Sequence, residues 1–324
     1  GGPPAGGLAA LRRAGGRVAG TAGARELIEG ADLVLDGIVG IGGTGGLRPD
    51  AVPLAAAAAR SRAVVVAVDL PSGVAAGTGE GRGRALRADL TVTVGTHKPG
   101  LLIDPAREYA GAVRLVDIGL PLPPRPELEA LQHADVARLL PVPAAERDKY
   151  RRGVVGVAAG AGRSPGAAGR AGAGALRGGA GAVRYVGPAG QAGIARFPET
   201  LVSDRGPKHA GRVQAWVVGP GAGDDAATVA EVLAADVPVL IDADGLRLAE
   251  AAAVRARRAP TLLPPHAGEA AARRGGERHE VEGARLGAVR ELAGRYGASV
   301  LLKGSTTLVA DAGGEGPVRV NPTG

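Results

Sequence analysis

Cysteine and methionine are both absent from the 324 residues, and aromatic side chains make up only 2%: one Trp, one Phe and four Tyr. Without cysteine the fold can use neither a disulfide nor a thiolate metal site, which fits a reducing compartment, so a cytoplasmic location is expected. So few rings leave almost nothing on which a nucleic-acid single strand could stack. No apolar run approaches the ~18 residues that a membrane span needs, and no secretory leader pattern opens the chain. Lysine is scarce as well: of 39 basic residues only Lys98, Lys149, Lys208 and Lys303 are Lys. Since Lys and Arg are not chemically interchangeable, a lysine beside a special loop draws notice. The missing methionine includes an initiator, and Gly1-Gly2-Pro3-Pro4 and Asn321-Pro322-Thr323-Gly324 are turn chemistry. A piece cut at both ends of a longer protein is therefore expected.

What is present suits a soluble α/β protein. Hydrophobic residues reach 45%, enough for a real core in each half, and the length suits two domains. The net charge is +7 and the isoelectric point about 10.3. The basic residues are scattered with only short clusters, a pattern of solvated surface arginine, so neither a nucleic acid nor a membrane is expected as a partner.

Short β-branched runs alternate with Ala/Leu-rich stretches, the signature of β-α units around a parallel sheet. In the first half the spacing predicts strands over 32–35, 63–68, 90–94 and 113–116, with a helix over 51–60. The Pro/Leu-rich stretch from Gly119 predicts a semi-rigid linker, placed at 125–133 between domains 1–124 and 134–324. In the second half strands are predicted over 154–158, 182–186, 215–218, 237–242, 261–263, 299–302 and 306–310. A Gly-rich helix over 166–181 must be held by packing, because each Gly costs about 1 kcal/mol against Ala.

Ligands of open α/β sheets sit at the carboxyl ends of strands, and several loops there carry distinctive chemistry. Gly40, Ile41, Gly42, Gly43, Thr44, Gly45 and Gly46 form a glycine loop after Asp36; it is either a tight turn or a cradle whose amides approach an anionic ligand. Asp69 ends the next strand, with Ser72 three residues on, and either caps a helix or binds a ligand hydroxyl. His97 and Lys98 are either proton-transfer groups or an exposed loop pair. In the second half, Lys149 and Tyr150 precede a strand that opens into another glycine loop. Asp242 and Asp244 follow a strand, His266 sits in PPHAGE, and Lys303-Gly304-Ser305-Thr306-Thr307 is either a polar hairpin turn or a phosphate contact.

Taken in order, Asp36, the glycine loop, AVDLPSG and GTHKPGL resemble the NAD(P)H-hydrate epimerase family, to about Leu120. The resemblance implies a Rossmann-like domain in which the 40–46 loop and Asp69 contact the hydrated nucleotide, with Asp69 as the catalytic candidate. It also implies that Asp36 and Ser72 give oxygens to a potassium ion. Gly1-Gly2 stand where that family's Asn-Asn-Gly-Gly-Asp loop falls, with Pro3 at the acid's place.

From Ala134 onward the segments DKYRRGVVGVAAGAG, FPETLVSD, VVGPGAGDD, LIDADGL, TLLPPHAGEAA and LLKGSTTLVAD resemble ADP- or ATP-dependent NAD(P)H-hydrate dehydratases, of ribokinase-like α/β fold. By that likeness Lys303, Gly304, Ser305, Thr306 and Thr307 bind ADP phosphates, magnesium being expected with the nucleotide. His266, Gly223 and Ala168 contact the hydrated nicotinamide nucleotide. The family's catalytic acid is expected beyond Gly324. The joint resemblance implies a bifunctional isomerase and lyase that repairs hydrated NADH and NADPH, expected as a homo-oligomer. Alternatives are a ribokinase-like small-molecule kinase with a nucleotide-binding first domain, or a nucleotide-binding protein without catalysis.

Overall fold

The computed structural model describes residues 5–81, 83–140, 151–160 and 165–323. Gly1 to Pro4, Lys149, Tyr150 and most of the second glycine loop lie outside the described residues. The chain divides into two compact units, Gly1–Leu122 and Pro123–Gly324.

The first unit is built on four parallel strands in sequential order: β1 (Leu33–Asp36), β2 (Val64–Val68), β3 (Leu90–Val94) and β4 (Ala112–Val116). β-branched side chains suit the pleated, half-buried surface, and the runs VVVAV and LTVTV supply them. Asp36 closes β1, paired in register with Ala67, so it anchors the end of the strand where the loop had been expected to begin. The helix Val52–Arg60 starts with Pro53 in its first turn, where the missing N–H costs nothing. Its Ala58 packs on Val65, Ala67, Leu86 and Ala88, a core of small side chains that compensates for the lack of rings by close approach.

The second unit carries ten strands: β5 (Leu128–Ala130), β6 (Val154–Ala158), β7 (Ala182–Val186), β8 (Leu201–Ser203), β9 (Ala215–Val218), β10 (Val239–Ile241), β11 (Thr261–Leu263), β12 (Ser299–Leu302), β13 (Thr307–Ala310) and β14 (Val318–Asn321). Their order in the sheet is β5-β14-β13-β12-β11-β10-β9-β6-β7-β8. All neighbours run parallel except at the β12/β13 and β13/β14 pairs. From β6 the chain winds outward through β7 and β8, then returns to place β9 on the other side of β6. That reversal is a topological switch point, where doubly wound sheets open a crevice at the strands' carboxyl ends.

Three differences from the sequence reading have physical causes. The expected linker 125–133 contains β5, which pairs with β14 in parallel register; only the partner strand makes three residues of weak pattern into a strand. β8 and β14 went unanticipated for the same reason, being short with exposed or charged positions. The Gly-rich helix runs over Pro165–Arg177, ending four residues earlier than expected, because Gly178 and Gly179 turn the chain back into β7. It holds by packing Ala168, Ala171, Ala175 and Leu176 against Val157, Val183 and Tyr185.

One glycine is dictated by the single tryptophan. Gly156 on β6 lies in register with Trp216 on β9, and a β-carbon there would come within 2.6 Å of the indole Cδ2. Trp216 is thereby buried flat against backbone in the centre of the sheet.

Candidate functional sites

In the first unit the glycine loop is stitched to the segment that follows β2. Gly43 N–H donates to Gly40 O (2.9 Å), Gly46 N–H to Gly73 O (2.7 Å) and Ala76 N–H to Gly43 O (3.1 Å). Of the two readings of this loop, the tight turn holds at Gly43 and Gly46, whose N–H groups fold the loop. Gly45 and Gly46 take positive φ of 94° and 78°, which only glycine adopts readily. Ile41, Gly42 and Thr44 face solvent.

Asp36 and Ser72 lie beneath that loop and are buried. Ser72 Oγ donates to Asp36 Oδ1 (2.6 Å), Ser72 N–H to Asp36 Oδ2 (2.7 Å), and Val39 N–H to Ser72 Oγ (3.0 Å). The two side chains put an all-oxygen donor pair together, chemistry that fits a hard monovalent cation. Among the described residues no three His, Cys, Asp or Glu side chains converge on a metal site, so backbone oxygens would have to complete any shell.

Asp69 is the focus of this unit. Its φ of 72° is rare for a residue with a β-carbon, and such outliers gather at functional sites. Lys98 Nζ donates to Asp69 Oδ1, to Thr93 Oγ1 (2.8 Å) and to Val94 O (2.8 Å). Thr93 Oγ1 and Val94 N–H also reach Oδ1, at 3.1 and 3.4 Å. Among the described residues every hydrogen bond to this carboxylate falls on Oδ1, while Oδ2 faces Gly40. Burial pushes the carboxyl up, but the bonds from Lys98, Val94 and Thr93 with the lysine's charge outweigh it, so Asp69 titrates below the ordinary range. The reading of His97 and Lys98 as an exposed pair is corrected: His97 is exposed, whereas Lys98 is buried with its ammonium fully engaged. Partial desolvation of the ring and then the Lys98 charge hold His97 below the usual histidine value.

In the second unit Gly223, Asp242, His266 and Lys303 follow β9, β10, β11 and β12, so parallel pairing lines them up along the carboxyl ends of four neighbouring strands, Gly223 nearest the switch point. Lys303 Nζ lies 3.0 Å from Asp242 Oδ1 and 3.9 Å from Glu269 Oε2. Lys303 N–H donates to Pro265 O (2.9 Å), and His266 and Lys303 form an isolated parallel bridge. His266 caps the helix Ala267–Arg274: its Nδ1 accepts from Gly268 and Glu269 N–H (3.0 and 3.2 Å), and Glu269 Oε2 accepts from His266 N–H (2.8 Å). The spacing His-x-x-Glu is a capping box and was legible in PPHAGE. With Nδ1 an acceptor, Nε2 is the ring's donor, on a side chain 58% exposed. No side chain caps the helix Asp244–Leu248; Asp244 Oδ2 instead accepts from Gly223 N–H (2.9 Å). Arg247 Nη2 ties down Gly223 O and Asp224 Oδ1.

Of the 303–307 turn, Gly304 and Ser305 are exposed and Thr306 is buried, with Thr307 opening β13. Ala168 stands apart in the core beneath its helix, 3% exposed. A groove of about 1330 Å³ along the sheet face reaches Asp242 and Asp244, but neither His266 nor Lys303 lines it.

The second unit has a ribokinase-like α/β fold, and its lysine-glycine-hydroxyl turn follows β12 at the carboxyl ends of the parallel strands. A ribokinase-like superfamily protein of Enterococcus faecalis V583 has the same fold, with TM-score 0.52 and 18% identity over 62% of this chain and 74% of that one. The chain belongs to the NAD(P)H-hydrate dehydratase family, whose model matches residues 155–324. Residues 7–100 match the model of the YjeF-related protein N-terminus. The bifunctional NAD(P)H-hydrate repair enzyme Nnr of Mycobacterium leprae is 47% identical over 98% of this chain, which spans 65% of that relative's length. The ADP/ATP-dependent NAD(P)H-hydrate dehydratase of Bacillus subtilis, co-crystallised with ATP and Mg²⁺, aligns at 28% identity and TM-score 0.52 over 60% of this chain and 72% of that one.

Proposed function

We propose that the second unit binds ADP, or ATP, at the 303–307 turn and takes part in removing water from the S hydrate of NADH or NADPH, and that the first unit interconverts the R and S hydrates. The observation carrying the dehydratase reading is the alignment of Gly223, His266 and Lys303 at the carboxyl ends of three of four neighbouring parallel strands, β9, β11 and β12. Lys303 offers a cation, and Gly304 and Ser305 an exposed backbone and hydroxyl, to phosphate oxygens. The Nε2–H of His266 stands along the same strand ends to receive the nicotinamide nucleotide, and Gly223, lacking a β-carbon, lets its ring approach the backbone.

The chemistry follows from the substrate. A hydroxyl on the reduced ring is a poor leaving group. Phosphoryl transfer from the nucleotide makes it a phosphate ester; the ring nitrogen's lone pair then expels phosphate, and loss of a ring proton restores the double bond. Magnesium would arrive with the nucleotide, shared by its phosphate oxygens. In the first unit a carboxylate held ionised by Lys98, with Oδ2 facing the glycine loop, suits a hydroxyl-bearing ligand. Potassium would be held by Asp36 and Ser72, where it would supply a fixed positive charge near that loop.

Calorimetric titration with ADP, comparing wild type with Lys303→Ala, tests the reading. Affinity should fall about tenfold or more, the scale of one charge-assisted contact. Equal affinity in the two proteins would remove the turn from the site.

A further inference from the structure

We propose that Arg285 is a positioning residue for the 303–307 turn: its buried guanidinium holds the turn's carbonyls inward and thereby presents the turn's outward face to a nucleoside diphosphate. The inference rests on the reading of this turn as the nucleotide contact.

Arg285 opens the helix Arg285–Tyr296 and is only 4% exposed, unusual for an arginine unless its donors are engaged. Its Nη2 donates to Thr306 O at 2.7 Å, to Lys303 O at 3.0 Å and to Leu302 O at 3.4 Å. These three carbonyls bracket the turn from the end of β12 to the start of β13, so one side chain clamps both of its ends. Because a trans peptide is planar, its N–H points opposite to its C=O. With Lys303 O drawn down to Arg285, the N–H of Gly304 is turned away from the guanidinium, on a residue that is exposed. An inward row of carbonyls is what leaves an outward face fit for phosphate, where carbonyl oxygens would repel it.

Gly304 is matched to this arrangement. A β-carbon there would lie 2.8 Å from both Cζ and Nη1 of Arg285. A flexible arginine could move aside at little cost, but this one is tied to three carbonyls, so moving it undoes the clamp. Glycine at 304 and arginine at 285 therefore form one device, although 19 positions separate them. The guanidinium also leaves a positive charge beneath the turn, useful because the Lys303 ammonium is partly neutralised by Asp242 at 3.0 Å.

A double-mutant cycle on the full chain tests the device, with ADP affinity by calorimetry and melting temperature without nucleotide as separate readouts. Arg285→Met and Gly304→Ala should each weaken ADP binding about tenfold. The double variant should bind no more weakly than Arg285→Met alone, because the alanine methyl then meets open space. Arg285→Lys, which keeps the charge but ends one bond short of Nη2, should remain weakened. Additive losses in the double variant overturn the proposal. So does an Arg285→Met protein that melts lower yet binds ADP like wild type, since that is a purely structural role. If Arg285→Met fails to fold, Arg285→Lys and Gly304→Ala decide: wild-type ADP affinity in both refutes the clamp. If Lys303→Ala also binds like wild type, the nucleotide reading itself falls; if Lys303→Ala is weak while the Arg285 variants are not, only the clamp falls.

Discussion

Replacing Lys98 by Met removes the ammonium that holds Asp69 while keeping a side chain of similar length. Lys98 is 6% exposed, and its Nζ makes three hydrogen bonds, to Asp69, Thr93 and Val94. Removing one partner of a buried ion pair costs about 3–5 kcal/mol, because the other charge stays behind uncompensated. Asp69 retains 16% side-chain exposure, as well as its bonds from Thr93 and Val94, so the lower end, about 3 kcal/mol, applies. For a unit of this size about 4 °C per kcal/mol follows, giving a drop of about 12 °C in the first unit's transition. Differential scanning calorimetry of the full chain reads this directly. Asp69→Asn combined with Lys98→Met should recover part of the loss, since the stranded charge is then gone. The pH dependence has a definite sign. Asp69 titrates below its ordinary value of 3.8 in the folded protein, so its contribution is present above that value and disappears as the pH falls through the lower, folded one. In Lys98→Met this acid-side loss should flatten. A melting point within about 2 °C of wild type, or a double variant no more stable than the single one, would refute the argument that the pair is coupled and buried.

Gly156→Ala should destabilise the second unit by about 1–3 kcal/mol, because the methyl strikes the Trp216 ring; denaturation followed by the fluorescence of that lone tryptophan checks it. His266→Ala should cost about 1 kcal/mol through loss of the helix cap, whereas His266→Asn should keep the cap and its stability but weaken hydrate binding, so that urea melts and ligand titration separate the two roles. Potassium should raise the melting temperature of the first unit more than sodium does, and Asp36→Asn should shrink the difference; identical responses to both ions would count against a cation at Asp36 and Ser72.

Local pattern carries far in this chain, and its limit has a clear cause. β3, β6, β7, β9, β11 and β12 coincide with the strands expected from the sequence, because β-branched and aromatic side chains suit a pleated, half-buried surface whichever strand lies beside them. The loops at the strands' carboxyl ends were legible for the same reason, as glycine, acid or lysine following such a run. Strands that owe their existence to a partner were not: Leu128–Ala130 has no pattern of its own and forms only because β14 offers it hydrogen bonds. Side-chain partnerships across many positions were equally hidden. Nothing near Asp69 in sequence shows that Lys98 is its counter-ion 29 residues on, or that Lys98 is buried. Nor does KGSTT disclose that its glycine leaves room for Arg285. The sequence by itself thus determined which residues could do chemistry and at which strand ends they fall, since backbone propensity and periodicity are local. Tertiary structure alone decided which of them meet, which amides fold the glycine loop, and which charges are buried, because those outcomes depend on strand order and on desolvation by distant parts of the chain.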